Sequence, residues 1–109
     1  MSEFIRVCEV AAIPSGHAAR VEIGDSPVAV FNVAGRYFAL DDTCSHALAS
    51  LSDGELDLQA CAIECPLHGS QFDLRTGVPL CLPAVDPVRT HAILVKDGAL
   101  FVQLSAEPE

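Results

Sequence analysis

Two short segments of the sequence each carry a cysteine and a histidine, and their spacing suits metal binding. Cys44-x-His46 is followed, 18 residues later, by Cys65-x-x-His68. A single turn of chain can direct a thiolate and an imidazole that lie one or two residues apart at one metal centre. The two segments therefore supply four candidate metal ligands.

Two kinds of metal site use two Cys and two His ligands. One is a mononuclear zinc site, which would make the chain a zinc-binding interaction module. Zinc fingers usually group Cys with Cys and His with His across a strand and a helix, whereas here each segment is mixed and no helix is predicted. The other is the Rieske arrangement, in which two Cys bind one iron of a [2Fe-2S] cluster and two His bind the other. The mixed spacing resembles the Rieske arrangement.

The length and composition predict one globular domain, residues 1–109. Hydrophobic residues make up 50% of the chain and charged residues 19%, and a chain of this length can bury roughly two-thirds of the surface that it exposes when unfolded. No apolar run is long enough for a membrane-spanning helix. The N-terminus lacks the pattern of a secretory signal, and five cysteines are an odd number. Both observations predict a protein of the reducing cytoplasm.

The net charge excludes one class of partner. Six basic residues against fifteen acidic ones give a formal charge of −9, which repels phosphate backbones and anionic lipid surfaces. We therefore expect no nucleic acid and no membrane among the partners. A protein surface with basic patches is a better match.

Short alternating and β-branched stretches predict an all-β fold, an antiparallel β-sandwich or barrel. Turn signals separate the stretches, among them PSG (14–16), GDSP (24–27), AGR (34–36) and DG (97–98). The longest candidate for a helix, ALASL (47–51), is too short. The predicted strands cover residues 4–10, 19–23, 28–33, 36–40, 88–95 and 99–104.

Residues 41–87 interrupt this rhythm with acidic residues, glycines, prolines and cysteines. We expect a loop-built subdomain of about these bounds, which carries the metal ligands. Loops held by a rigid scaffold often carry function.

The motifs CSH (44–46) and CPLHGS (65–70), followed by QFDLRTG (71–77) and LPAVDPV (82–88), resemble the Rieske-type [2Fe-2S] ferredoxins of bacterial aromatic-ring-hydroxylating dioxygenases. The resemblance runs from about Phe4 to Leu104, and its specific motifs lie between 44 and 88. It implies one Rieske-type [2Fe-2S] cluster. Cys44 and Cys65 would hold the inner iron, and His46 and His68 would hold the outer iron near the surface.

The resemblance also implies a function and partners. Such a protein is a soluble one-electron carrier that passes electrons from an NAD(P)H-dependent flavoprotein reductase to a terminal aromatic-ring dioxygenase, and it is not itself an enzyme. The sequence fits this role because neither GDSP nor AGRYFAL has the G-x-G-x-x-G spacing of a nucleotide loop. We expect a monomer. The alternative within this fold is the Rieske-like small subunit of an assimilatory nitrite reductase.

Four positions near the ligands predict a reduction potential at the low end of the Rieske range. High-potential respiratory Rieske proteins carry a disulfide between the positions that are Ala49 and Leu67 here. They also carry a Ser and a Tyr that donate hydrogen bonds to sulfur, where this chain has Ser70 and Phe72. Fewer donors stabilise the reduced cluster less, so we expect a midpoint near about −150 mV. The family's proline-bearing loop over the cluster would fall at Pro83 and Pro87.

The remaining thiols and imidazoles are not expected to be ligands. We expect Cys8 and Cys61 to be small buried side chains in strands, and Cys81 to lie nearer the cluster. His17 is expected in solvent, and His91 at the surface or hydrogen-bonded within a strand. Six acidic residues near the ligand segments are candidates for attracting basic partners: Asp41, Asp42, Asp53, Glu55, Asp57 and Asp73.

Overall fold

The computed structural model describes residues 3–44, 49–67, 69–81 and 86–105, which form two antiparallel sheets. The larger sheet has the strand order β1-β9-β8-β4-β3-β2 and the smaller one the order β5-β6-β7. The two edge strands of the larger sheet, β1 and β2, contact each other, so this sheet curls toward a closed barrel. The all-β prediction is confirmed. The strands of the described residues are β1 (Ile5–Glu9), β2 (Ala18–Ile23), β3 (Ser26–Val33), β4 (Arg36–Asp41), β5 (Glu55–Asp57), β6 (Ala62–Glu64), β7 (Gln71–Asp73), β8 (Thr90–Lys96) and β9 (Ala99–Gln103).

Two of the predicted turns form two-residue hairpin loops. Ala34 and Gly35 join β3 to β4 with φ angles of 53° and 89°, and Asp97 and Gly98 join β8 to β9 with φ angles of 53° and 77°. Positive φ at both central residues is what the type I′ hairpin turn requires, and its twist matches that of the flanking strands. These turns set the register of both hairpins.

Strand β3 supplies core residues on both of its faces. Successive side chains of a strand point to opposite sides, and every residue of β3 from 28 to 33 is buried. Phe31 and Val33 belong to the core cluster that also contains Cys44 and Cys65, whereas Val28 and Val30 belong to a second core cluster with Val102. The first cluster contains both candidate cysteine ligands, so β3 connects them to the body of the fold.

The segment 41–87 is not built of loops alone. It contains the smaller sheet, in which Leu56, Ile63 and Phe72 lie opposite one another across the three strands. Ile63 and Phe72 are fully buried and Leu56 packs against the same cluster. The prediction of a loop-built subdomain is incomplete because strands of three residues are too short to show an alternating pattern.

Helical structure in the described ranges is confined to two single-turn 3-10 helices, Val10–Ala12 and Leu51–Asp53. Among these residues, no helix is long and apolar enough to cross a membrane.

Candidate metal centre

The first ligand loop leaves the end of β4 and returns at Ser50. Thr43 and Ser50 form an isolated antiparallel bridge, and the Cys44 N–H donates to the Ala49 carbonyl at 3.0 Å. Cys44 is 4% exposed. The loop is therefore closed at its base, with its cysteine directed into the core.

The second ligand loop is the hairpin between β6 and β7. The Cys65 N–H donates to the Ser70 carbonyl at 2.7 Å, and the Gly69 N–H donates to the Cys65 carbonyl at 3.2 Å. Gly69 has a φ of 72°, a left-handed conformation that glycine adopts without strain. Cys65 and Ser70 are fully buried, whereas Leu67 at the tip is 61% exposed.

A third segment runs beside the second loop after β7. Phe72 and Pro79 form an isolated antiparallel bridge, and the Leu80 N–H donates to the Gln71 carbonyl at 2.6 Å. The Cys81 thiol lies 3.6 Å from the Gly69 carbonyl oxygen, to which it donates. Cys81, which was expected nearer the cluster, thus lies beside the second ligand loop.

The structure places the two cysteines of the predicted ligand set in one buried cluster. Cys44 and Cys65 belong to the same buried cluster, and neither is part of a disulfide. Two buried cysteines without a disulfide, each at the base of its own loop, fit the pair of thiolates that hold one iron of a Rieske cluster.

The other half of the predicted set lies outside the described residues. This half consists of His46 and His68. Pro83 of the predicted covering loop also lies outside the described residues. Within the described ranges no group of three or more His, Cys, Asp or Glu side chains is placed to hold a metal ion, because only two of the predicted ligands fall in those ranges. Pro87 is described and is exposed.

The remaining cysteines differ in their surroundings. Cys8 is half-buried in β1, where burial raises the pKa of its thiol. Cys61 is buried, as predicted, but the prediction that it lies in a strand is wrong. It occupies the turn before β6 with a φ of 55°, and its carbonyl accepts a hydrogen bond from the Leu74 N–H at 2.9 Å.

His91 is a buried and fully hydrogen-bonded strand residue, one of the two environments expected for it. Its Nδ1 accepts from the Ser105 N–H at 3.0 Å, so Nε2 carries the proton and donates to Asp41 at 2.8 Å. Arg89 also binds Asp41, at 3.0 and 3.2 Å. Burial raises the pKa of Asp41, but the hydrogen bonds from His91 and Arg89 outweigh it and hold the pKa below its usual range. His17 is exposed, as expected.

The expectation for Asp42 as an attracting surface charge is wrong. Asp42 is 1% exposed, and its carboxylate accepts hydrogen bonds from Ser50 Oγ and from the Ser52 N–H, the latter at 2.9 Å. Asp41 is likewise engaged, by Arg89 and His91. Sequence patterns did not reveal this, because both residues sit in an acidic stretch that is typical of an exposed loop.

Glu64, which directly precedes Cys65, was not among the predicted surface charges. Glu64 lies opposite Glu55 across β5 and β6, and a Cβ added to Gly69 would lie 3.9 Å from its Oε2. Like charges directly opposite each other on neighbouring strands repel. Three acidic residues line a cleft of about 370 Å³ along this sheet: Glu55, Asp57 and Glu64. Negative charge therefore lies beside the second loop. The position of Glu64 directly before Cys65 is the sequence signal that could have indicated it.

Several known proteins with similar sequences and structures are named as ferredoxins of dioxygenases. The "3-phenylpropionate/cinnamic acid dioxygenase ferredoxin subunit" of Photorhabdus laumondii is 48% identical over 101 residues, which cover 93% of this chain and 94% of that protein. The ferredoxin of carbazole 1,9a-dioxygenase from Nocardioides aromaticivorans IC177 is 33% identical with a TM-score of 0.88, and 91% of this chain and 95% of that one are covered. A chain in a complex of reduced oxygenase and oxidized ferredoxin, also of a carbazole 1,9a-dioxygenase, is 36% identical with a TM-score of 0.88 and 97% of both chains covered.

The nitrite reductase alternative has weaker support. A chain from Mycobacterium tuberculosis assigned as the small subunit of an NADH-dependent nitrite reductase has a TM-score of 0.85 but only 22% identity, with 98% of this chain and 99% of that one covered. Similarity at that identity shows the fold alone.

The family model for the Rieske [2Fe-2S] domain matches residues 3–92 of this sequence. The matched range includes both ligand loops, and the ferredoxins above share the fold over nearly their whole length. The resemblance predicted from CSH and CPLHGS is confirmed, and the cluster is favoured over zinc. The chain belongs to the Rieske [2Fe-2S] domain family and carries a Rieske-type cluster.

Proposed function

We propose that this chain is a cytoplasmic, monomeric ferredoxin that carries one electron at a time from an NAD(P)H-dependent flavoprotein reductase to the terminal oxygenase of an aromatic-ring dioxygenase system. The observation that carries the proposal is the 48% identity, over nearly the full length of both proteins, with a dioxygenase ferredoxin subunit. The solved complex of a similar ferredoxin with its oxygenase supports the choice of acceptor.

The proposed ligands are Cys44 and Cys65 for the inner iron and His46 and His68 for the outer iron. The buried, unbridged state of both cysteines supports this assignment, and so does the closed base of each loop. The histidines are assigned from the family motif and their spacing in the sequence.

The mixed ligand set accounts for the chemistry that the cluster supplies when bound. With two thiolates and two neutral imidazoles the oxidised centre has no net charge, whereas four thiolates would give it two negative charges. An electron enters a neutral centre more readily, so Rieske clusters have potentials of roughly −150 to +300 mV against about −400 mV for plant-type ferredoxins. With Phe72 in place of a hydroxyl donor, we propose a potential at the low end of that range.

An exposed apolar patch beside the second loop is the proposed contact surface for both partners. We define the loop-side patch as Leu67, Val78 and Leu80, which are 61%, 49% and 49% exposed. Electron donor and acceptor must each approach the same exposed edge of the cluster, so they would use this patch in turn. Small transient interfaces of this kind permit rapid exchange of partners.

Electron paramagnetic resonance of the dithionite-reduced protein tests the cluster and its ligands. We expect a signal whose average g value is below that of ferredoxins with four thiolates. Cys44→Ser and His46→Ala should each abolish it, whereas Cys8→Ser, which changes a thiol away from the site, should leave it unchanged. A colourless protein without a signal would refute the cluster.

A reconstituted assay tests the direction of electron flow. The protein is mixed with a flavoprotein reductase, NADH or NADPH and the oxygenase that acts on 3-phenylpropionate, because the ferredoxin of that system is the 48% identical relative. We expect hydroxylated product to depend on this protein. Reduction of nitrite by a nitrite reductase lacking its small subunit, restored by this chain, would favour the alternative instead.

A further inference from the structure

We propose that Asp42 is a positioning residue that holds the first ligand loop in the geometry the cluster needs. The proposal rests on the ligand assignment of the proposed function, because it concerns the loop that carries Cys44 and His46. Asp42 fixes the loop from outside the ligand set.

The Asp42 network consists of Arg20, Asp42, Ser50 and Ser52. Ser50 Oγ donates to Asp42 Oδ2, and the Ser52 N–H donates to Asp42 Oδ1 at 2.9 Å. Arg20 Nη1 donates to Ser50 Oγ at 3.3 Å and lies 3.7 Å from Asp42 Oδ2. The carboxylate therefore has a partner on each oxygen, although it is 1% exposed.

The network joins the two ends of the ligand loop. Asp42 immediately precedes the loop. The two donors to its carboxylate, the Ser50 hydroxyl and the Ser52 N–H, come after the loop. The backbone of Asp42 makes the same connection, because its carbonyl accepts from the Leu51 N–H at 2.6 Å. The Asp42 N–H donates to the Pro27 carbonyl at 3.1 Å, which ties the base of the loop to β3.

The ligands depend on this closure because they lie just inside it. Cys44 is two residues from Asp42, and its N–H bonds to Ala49, which is next to Ser50. Hydrogen bonds to an ionised carboxylate are stronger than neutral ones, and a buried donor left without its acceptor is costly. Removing the carboxylate should therefore loosen the base of the loop, where the backbone hydrogen bonds from Leu51 and Cys44 remain.

The experiment compares holoprotein variants by the rate at which the cluster is lost. Decay of the visible absorption is followed under excess chelator, at a fixed temperature well below the unfolding transition, together with the EPR spectrum of the reduced protein. We expect Asp42→Ala to lose the cluster about tenfold faster or more, because charge-assisted hydrogen bonds are lost, and to shift the g values. Asp42→Asn keeps an acceptor for the Ser52 N–H and should restore part of the wild-type lifetime.

Ser50→Ala and Val102→Ala separate positioning from general stability. Ser50→Ala removes one hydroxyl and keeps the proposal testable if Asp42→Ala does not fold, and it should also speed cluster loss. Val102 is fully buried in the other core cluster, so Val102→Ala should lower the melting temperature without changing the rate of cluster loss or the g values.

Two results would overturn the proposal while leaving the proposed function intact. One is a wild-type lifetime and EPR spectrum in both Asp42→Ala and Ser50→Ala. The other is cluster loss in Val102→Ala that is as fast as in the Asp42 variants. If the wild-type protein itself shows no mixed-ligand EPR signal, the proposed function fails, and the role of Asp42 fails with it.

Discussion

Replacing Gly77 with alanine should destabilise the protein for two separable reasons, backbone strain and a steric clash. Gly77 has a φ of 77°, and a Cβ added there would lie 2.1 Å from the Val88 carbonyl oxygen. The Val88 N–H also donates to the Gly77 carbonyl at 2.9 Å. This contact closes the base of the segment that contains the predicted covering loop, so the substitution perturbs both backbone conformation and packing.

Gly98 isolates the first cause and Gly54 the second. Gly98 has the same φ of 77° with no atom within 4 Å of an added Cβ. Gly54 has a negative φ of −82°, but its Cβ would lie 1.9 Å from the Glu64 carbonyl oxygen. Gly98→Ala therefore adds backbone strain alone, and Gly54→Ala adds a steric clash alone.

The expected magnitudes follow from these differences. A left-handed alanine costs about 1–2 kcal/mol, of which the reduced entropy of the unfolded chain returns about 0.4–1 kcal/mol, so Gly98→Ala should lose about 1 kcal/mol. A carbonyl that must move by about an ångström adds roughly 1–3 kcal/mol of overpacking, so Gly77→Ala should lose about 2–4 kcal/mol. At about 4–8 °C per kcal/mol, its melting temperature should fall by roughly 8–32 °C.

Thermal unfolding of the three holoprotein variants, followed by far-ultraviolet circular dichroism, measures these changes. Gly77→Ala should also lose its cluster faster than Gly98→Ala, because only Gly77 contacts the base of the covering segment. Equal melting temperatures for Gly77→Ala and Gly98→Ala would show that the clash with the Val88 carbonyl does not lower the free energy of unfolding. That result would refute the reasoning.

Three further predictions concern pH, potential and salt. The lowered pKa of Asp41 means that its contribution to stability is present above about pH 4 and is lost as the pH falls through that pKa; in urea unfolding, the stability difference between wild type and Asp41→Asn should shrink on acidification, and a constant difference would contradict this. Phe72→Tyr should raise the midpoint potential if its hydroxyl reaches a ligand sulfur, by about 40 mV for a hydrogen bond of about 1 kcal/mol; a redox titration with no change would show that the hydroxyl does not reach sulfur. Reduction by the flavoprotein should slow between about 20 mM and about 500 mM salt, and Glu55→Gln with Glu64→Gln should flatten that dependence; equal rates at both salt concentrations would exclude attraction by these charges.

The sequence by itself determined the features that depend on local chemistry. The turn at Asp97–Gly98 follows from two residues that tolerate positive φ, whereas at Ala34–Gly35 only the glycine does. The alternating stretches around both turns predict the larger sheet. The pairing of a thiol with an imidazole in each ligand segment predicts the cluster type, because ligand chemistry is a property of the residues themselves.

Only the tertiary structure decided which polar residues are buried and what they contact. His91 binds Asp41 across 50 residues of sequence, Asp42 closes a loop where an exposed charge was expected, and the three short strands of the smaller sheet exist only because each completes the others' hydrogen bonds. The local sequence of an acidic residue before a loop is the same whether its carboxylate is solvated or buried and hydrogen-bonded. Its environment depends on segments that folding brings from elsewhere in the chain, and for Asp42 these are β2, β3 and the far end of the ligand loop.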